Sequence, residues 1–204
     1  ARTADWVAKM KGGIVVEAEA NPGKSIVGVS PQPNPKGEAR LNGDTAASTA
    51  SGKSYVEPRK NPLTFTVQVK EAGDYVLSLR YYALRMMHSS WPQNSTVKTP
   101  WTENYIEVDV TVDGKPLNSG KPEHFYPTGE YSDHNGDVEM WAWHAVNGGK
   151  QVRLSAGEHT LTVVYKEGLT TPCYDALLLS REPGPPPPHP RWIDLYRIPP
   201  AWWV

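Results

Sequence analysis

Between residues 63 and 82 the chain spells out two half-buried strands in succession. Leu63, Phe65, Val67 and Val69 alternate with Thr64, Thr66 and Gln68. That period-two spacing puts all four apolar side chains on one face of an extended strand. Glu71-Ala72-Gly73-Asp74 has the composition of a turn, and Tyr75, Leu77, Leu79 and Tyr81 then repeat the pattern. The spacing predicts a hairpin, whose apolar face must be covered by a second layer.

The same grammar recurs along the chain. Residues 13–19 read as a first strand, and Ile26 to Val29 as a short strand inside a long Gly-, Pro- and Asn-rich stretch at 20–53. Tyr105–Val112 alternates through Ile106, Val108, Val110 and Val112 and ends in an Asp113-Gly114 turn. Val138–Ala145 carries Trp141 and Trp143, Val152–Leu154 and His159–Tyr165 suggest a second hairpin, and Tyr174–Leu179 closes the body. No segment sustains a helical apolar period. Eight or more short strands with turn residues between them predict an all-β fold, a β-sandwich of jelly-roll type built from two antiparallel sheets.

Composition sets the outer limits. The 204 residues accommodate one sandwich domain over 1–182, with a real core and no need of staples. The single cysteine, Cys173, excludes an internal disulfide. A net charge of -1 gives no basic face for nucleic acid. No apolar run approaches the roughly 20 residues of a membrane-spanning helix. The chain begins Ala1-Arg2-Thr3 without Met, which leaves room for an upstream segment that was cleaved or omitted.

Two stretches stand apart from the sandwich pattern. Residues 84–103 form an insertion containing Trp91 and Trp101, and loops of that length in compact domains are commonly functional. After Glu182 the chain turns to Pro-Gly-Pro-Pro-Pro-Pro-His-Pro at 183–190, a polyproline II spacer. It ends in an apolar tail, 191–204, with Trp192, Trp202 and Trp203. A tail so rich in tryptophan either packs back on its own sandwich or docks on a protein partner.

Eight Trp and ten Tyr against two Phe favour rings that join a flat apolar face to a polar handle. Such rings suit surfaces, binding sites and interfaces, although all-β folds favour aromatic residues in any case. Tyr82, Trp91 and Trp101 are candidates around the insertion. Trp141 and Trp143 share one face of the late strand and read either as ligand-binding or as core.

The order of short motifs resembles the calcium-containing carbohydrate-binding modules of families 6 and 35. Val16-Glu17-Ala18-Glu19-Ala20 matches the Glu-x-Glu signature of the first strand. Ala72-Gly73-Asp74-Tyr75 matches the turn before an aromatic-rich strand, and Val112-Asp113-Gly114 a later turn. Leu154-Ser155-Ala156-Gly157-Glu158-His159-Thr160-Leu161 and Tyr174-Asp175-Ala176-Leu177-Leu178-Leu179 match the closing pair. The match spans about residues 13–180.

The resemblance implies a non-catalytic module that binds a polysaccharide or oligosaccharide through aromatic residues in end loops. It also implies a structural Ca2+ held by Glu17, Glu19 and Asp175, and a secreted or periplasmic location. Calcium takes six to eight hard oxygens, and on a continuous strand Glu17 and Glu19 would point the same way. Many family members carry a sugar-bonding Asn two residues before the late Asp. Cys173 stands there instead, so the sugar site departs from the family pattern.

A second calcium candidate comes from spacing alone. Asp133, Asn135, Asp137 and Glu139 place oxygens at every second position, a pattern equally open to a polar Asn-Gly turn. No zinc-binding His-Glu-x-x-His, nucleophile elbow or phosphate-cradling glycine loop occurs, so no enzyme activity is expected. The alternative is an accessory or structural subunit of a larger extracytoplasmic assembly, using the insertion and the tail for protein contacts.

Overall fold

A computed structural model describes residues 13–20, 26–28, 50, 54–86, 105–126, 128–131, 141–168 and 171–182. The strands are β1 Ile14–Glu17, β2 Ile26–Gly28, β3 Ser54–Val56, β4 Leu63–Val69, β5 Gly73–Tyr82, β6 Leu84–Met86 and β7 Ile106–Val112. They continue with β8 Lys115–Pro116, β9 Glu123–Phe125, β10 Gly129–Tyr131, β11 Ala142–Ala145, β12 Val152–Leu154, β13 Gly157–Glu167 and β14 Cys173–Ser180. Short 3-10 turns are the helical structure among the described residues, and none is long enough to cross a membrane.

The strands make the two layers of an antiparallel sandwich. The first sheet runs β11-β5-β14-β3-β2, with β1 also on β14 and β12 also on β5; the second runs β4-β13-β7-β8, with β9 also on β7. β10 and β6 form a separate parallel pair. Leu63, Phe65, Val67 and Val69 from β4 meet Tyr75, Leu77, Leu79 and Tyr81 from β5 in one core, together with Ile106, Val108, Leu161, Val163, Leu177 and Leu179. Each fully buried aliphatic or aromatic side chain contributes about 1.5–3 kcal/mol.

The alternation correctly marks the buried faces of β4 and β5, but the two strands do not form a hairpin. β4 pairs with β13 and β5 pairs with β14, so the turn at 70–72 carries the chain from one sheet to the other. The same holds for β12, which pairs with β5, and β13, which pairs with β4 and β7. Period two reports which face is buried, and a tight turn serves a layer crossing as well as a ladder.

The sheets differ in how they meet solvent. β4 reads buried at Leu63, Phe65, Val67 and Val69 and exposed at Thr66 and Gln68. In β14 all eight residues are buried, and β5 buries Val76 and Arg80 besides its core residues. The first sheet is therefore covered on both faces at its centre, which fits the unbroken apolar run Ala176–Leu179.

Strand directions give the sandwich two distinct ends. β5 finishes where β14, β11 and β7 begin and where β9 ends, and this end carries Tyr82, Cys173, Trp141, Tyr105 and Tyr126. Ala83 and Thr128 lock it: Thr128 N–H donates to the Ala83 carbonyl at 2.8 Å, and Ala83 N–H donates to Thr128 Oγ1 at 3.0 Å. At the opposite end lie the 70–72 and 113–114 turns and the start of β13. Trp91, Trp101, the 133–139 segment, most of the insertion, and residues 183–204 lie outside the described residues.

Candidate functional site

On the outward face of the first sheet, aromatic side chains gather around Cys173. Cys173 pairs with Tyr82 across the β14–β5 ladder, and Ala50, Tyr55 and Trp141 pack with them in a cluster separate from the main core. The rings meet edge to face: Tyr82 and Trp141 at 4.9 Å, Tyr55 and Tyr82 at 5.2 Å, Tyr55 and Trp141 at 5.6 Å. That is the favoured aromatic geometry. Tyr82 donates its hydroxyl proton to the Tyr55 hydroxyl at 2.9 Å.

Trp141 lies just before β11, and Trp143 faces Arg80 across the β11–β5 ladder, so the two share the outward face and not the main core. Trp141 is buried, with the Arg80 guanidinium 5.3 Å from its ring centroid. It is a wall of the cluster. Tyr82 and Trp143 are half-buried, and Tyr82 is the ring of the cluster with a face toward solvent. Tyr55 was not singled out in the sequence: its strand, Ser54–Val56, is three residues long, too short for a periodic signal.

Beneath the rings sits a buried ion pair. Arg80 on β5 bonds Asp175 on β14, and both side chains are almost wholly removed from water. Asp175 is the extra residue where the β14–β5 register slips between Tyr174 and Ala176, so a bulge aims its carboxylate. Burial pushes the Cys173 thiol up to about 12 and raises the Tyr82 hydroxyl well above the ordinary tyrosine range, with neighbouring Cys173 adding to the latter. Neither group ionises near neutrality, so neither is an activated nucleophile.

The residues tied to calcium by resemblance lie on segments that adjoin where β1 leaves the sheet. Glu17 closes β1 and pairs with Ala176, next to Asp175. Glu19 is not on the strand, because Ala18–Ala20 is a 3-10 turn; the two glutamates do not share a strand face as their spacing suggested. Glu19 instead accepts a hydrogen bond from Ser54 Oγ at 2.7 Å, at the head of β3, whose Val56 pairs with Tyr174. The backbone thus brings the segments that carry Glu17, Glu19 and Asp175 next to one another. Glu19 Oε2 is buried there without a hydrogen-bond partner, the kind of hard oxygen that a hard cation satisfies. Among the described residues no three Asp, Glu, His or Cys side chains are already gathered closely enough to hold a metal.

The opposite end holds a Ser-His-Asp arrangement that sequence spacing did not reveal. His159 Nδ1 lies 2.7 Å from Asp113 Oδ2, and its Nε2 lies 3.3 Å from Ser155 Oγ and 3.0 Å from the Ser155 carbonyl. Carbonyl and carboxylate oxygens only accept, so both ring nitrogens donate. The Asp113 hydrogen bond raises the His159 pKa and outweighs the effect of burial. A doubly donating imidazolium cannot take a proton from Ser155. His159 instead clamps the 113–114 turn to the 155–157 turn, with Asp113 Oδ1 accepting the Thr160 N–H at 2.9 Å.

No protein-family model matches the chain, and no curated protein matches its sequence. Among solved structures, the fold is similar to a family 35 carbohydrate-binding module from Clostridium thermocellum, with 14% identity over 83% of this chain and 98% of that chain, TM-score 0.46. A CBM35 from Paenibacillus barcinonensis aligns at 16% identity over 83% of this chain and 99% of that chain, TM-score 0.47. A Podospora anserina GH26-CBM35 β-(1,4)-mannanase aligns at 19% identity over 87% of this chain, TM-score 0.44, with 29% of the mannanase covered.

Proposed function

We propose that this sandwich binds polysaccharide without chemistry, through aromatic side chains at the end where β5 finishes. The observation that carries the reading is the cluster of Tyr82, Tyr55 and Trp141 around Cys173. It places a half-exposed ring, already fixed by two aromatic neighbours, beside the point where the Trp-containing insertion leaves the sheet. A pyranose ring stacks its C–H face on Tyr82, and the insertion supplies Trp91 and Trp101 as further walls. Fixing the rings beforehand lowers the entropy lost on binding.

In the same reading a calcium ion sits at the junction of Glu17, Glu19 and Asp175 and braces the strand ends below the site. The three carboxylates and the Arg80 guanidinium carry a net charge of about -2 when ionised, which one Ca2+ neutralises. The motif order supports placing the chain outside the cytoplasm. A second ion at Asp133, Asn135, Asp137 and Glu139 belongs to the same proposal.

Thermal unfolding with calcium, with EDTA and with soluble polysaccharides tests both parts, because a ligand of the folded state raises the midpoint with its occupancy. Calcium should raise the midpoint, and Glu19→Gln should abolish that shift. One polysaccharide class should raise it further, and Tyr82→Ala should weaken binding by about tenfold, ~1.4 kcal/mol. A calcium response with no polysaccharide response would retain the metal and sink the sugar reading.

A further inference from the structure

Two large hydrophobic side chains stand in the open among the described residues: Tyr105, 37% exposed, and Tyr126, 46% exposed. They are neighbours in the fold. Ile106 pairs with Phe125 in the β7–β9 ladder, so Tyr105 and Tyr126 occupy the next position outward on each strand. Ile106 and Phe125 face the core, and strand alternation turns the adjacent pair to the outside of the second sheet.

Both positions are held in place. The Tyr105 ring stacks on the His124 imidazole, with centroids 3.9 Å apart and planes 11° apart. His124 Nε2 lies 3.7 Å from the half-buried Glu107 carboxylate. The Tyr126 carbonyl accepts the buried Tyr81 hydroxyl at 2.9 Å, which pins the backbone under its ring. Nothing in the sandwich core requires aromatic rings at these outward positions; a polar residue would serve β7 and β9 equally well.

We infer that Tyr105, His124 and Tyr126 form a second stacking platform, on the outward face of the second sheet, that takes a pyranose ring of a polysaccharide. The inference rests on the carbohydrate reading above and adds a site distinct from Tyr82. Flat, ordered rings match the apolar face of a sugar, and Glu107 and His124 at the rim offer hydrogen bonds to ring hydroxyls. Among the described residues the patch is small for a protein partner. Two tyrosines supply at most about 300–500 Å², against about 800 Å² per partner in a standard protein interface. The platform also lies at the same end of the sandwich as Tyr82, four residues after Trp101, so one long chain can touch both sites and gain avidity.

Electrophoresis through gels containing soluble galactomannan, xylan or pectin, with wild type, Tyr82→Ala, Tyr126→Ala and Tyr105→Ala/Tyr126→Ala, tests this. The double variant should need about tenfold more polymer for equal retardation while keeping the wild-type melting temperature. Should the double variant unfold, Tyr126→Ala alone should still weaken retardation severalfold. Retardation of a folded double or single variant equal to wild type would overturn the platform and leave the Tyr82 site standing. Wild type unretarded by every polymer would overturn both.

Discussion

At one end of the sandwich, edge-to-face rings, a buried ion pair and a buried free carboxylate oxygen are packed around the start of β14 and the strands beside it. At the other end, turns are tied by charge pairs that each have an exposed member: Asp113 with the buried His159, Arg181 with Glu71 at 2.7 Å, and Arg153 with Asp74 at 3.3 Å. Both ends hold the same two sheets together. The turn end does so with groups that water can replace, each worth a fraction of a kcal/mol to about 1 kcal/mol. The aromatic end commits groups that water cannot reach, so each of them is costly to disturb. A binding surface needs side chains whose geometry is set before the ligand arrives, and the aromatic end has that property.

The largest expected effect comes from the ion pair. Arg80→Met should take from the buried Asp175 its cationic partner, which costs about 3–5 kcal/mol, measured by urea unfolding in EDTA. Adding Asp175→Asn to Arg80→Met should restore part of the loss, because the buried negative charge is gone. A loss below about 1 kcal/mol would mean that another group neutralises Asp175, and the contrast between the ends would shrink accordingly.

Glycine substitution sharpens the same contrast. Gly168, at the aromatic end, has φ +141, and a Cβ there would lie 2.9 Å from the Ile106 Cα. Backbone cannot step aside as a side chain can. Gly168→Ala should therefore cost about 2–4 kcal/mol from strain and overpacking together. Gly114, at the turn end, has φ +74 with nothing within 4 Å of a Cβ. Gly114→Ala should cost only about 1 kcal/mol, from backbone conformation alone. Equal losses in chemical unfolding would remove the proposed difference in packing.

The turn end was the more legible of the two. Asp113-Gly114 sits in a turn where its composition placed it, Gly73 and Gly157 open β5 and β13 directly after theirs, and the alternation in β4, β5 and β7 marked buried positions correctly. The sequence did not show which sheet a strand joins, because pairing depends on partners distant in the chain: β14 lies between β5 and β1, almost 100 residues or more away from each. It singled out Tyr82, Trp141 and Cys173 but not the contacts that join them. Tyr55 has no periodic context, Asp175 is aimed by a bulge, and Glu19 is turned off its strand by a 3-10 turn. The Ser155-His159-Asp113 contact joins two turns 42 residues or more apart, beyond any local motif. Tyr105 opened a predicted strand and Tyr126 lay in no predicted element; the β7–β9 register sets them side by side.

The smallest effect belongs to the His159 clamp, and its pH dependence can be worked out. The Asp113 hydrogen bond raises the His159 pKa above its ordinary 6.5, so the protonated ring favours the folded state. That contribution is complete below about pH 6.5 and fades as pH rises through the raised value. His159, followed by the Thr160 N–H, holds the Asp113 pKa below its ordinary 3.8. Its contribution is present above about pH 4 and fades as pH falls through the lowered value. Both terms are in force between about pH 4 and 6.5. Asp113 is 42% exposed at its side chain, so screening holds the clamp to about 1 kcal/mol. The stability gap between wild type and His159→Gln should be widest near pH 5–6 and narrow toward pH 9, while the gap for Arg80→Met should stay nearly level across that range. If the His159→Gln gap were flat with pH, the imidazolium would not be the charged partner of Asp113, and the Ser155 contact would have to be reconsidered as one made by a neutral ring.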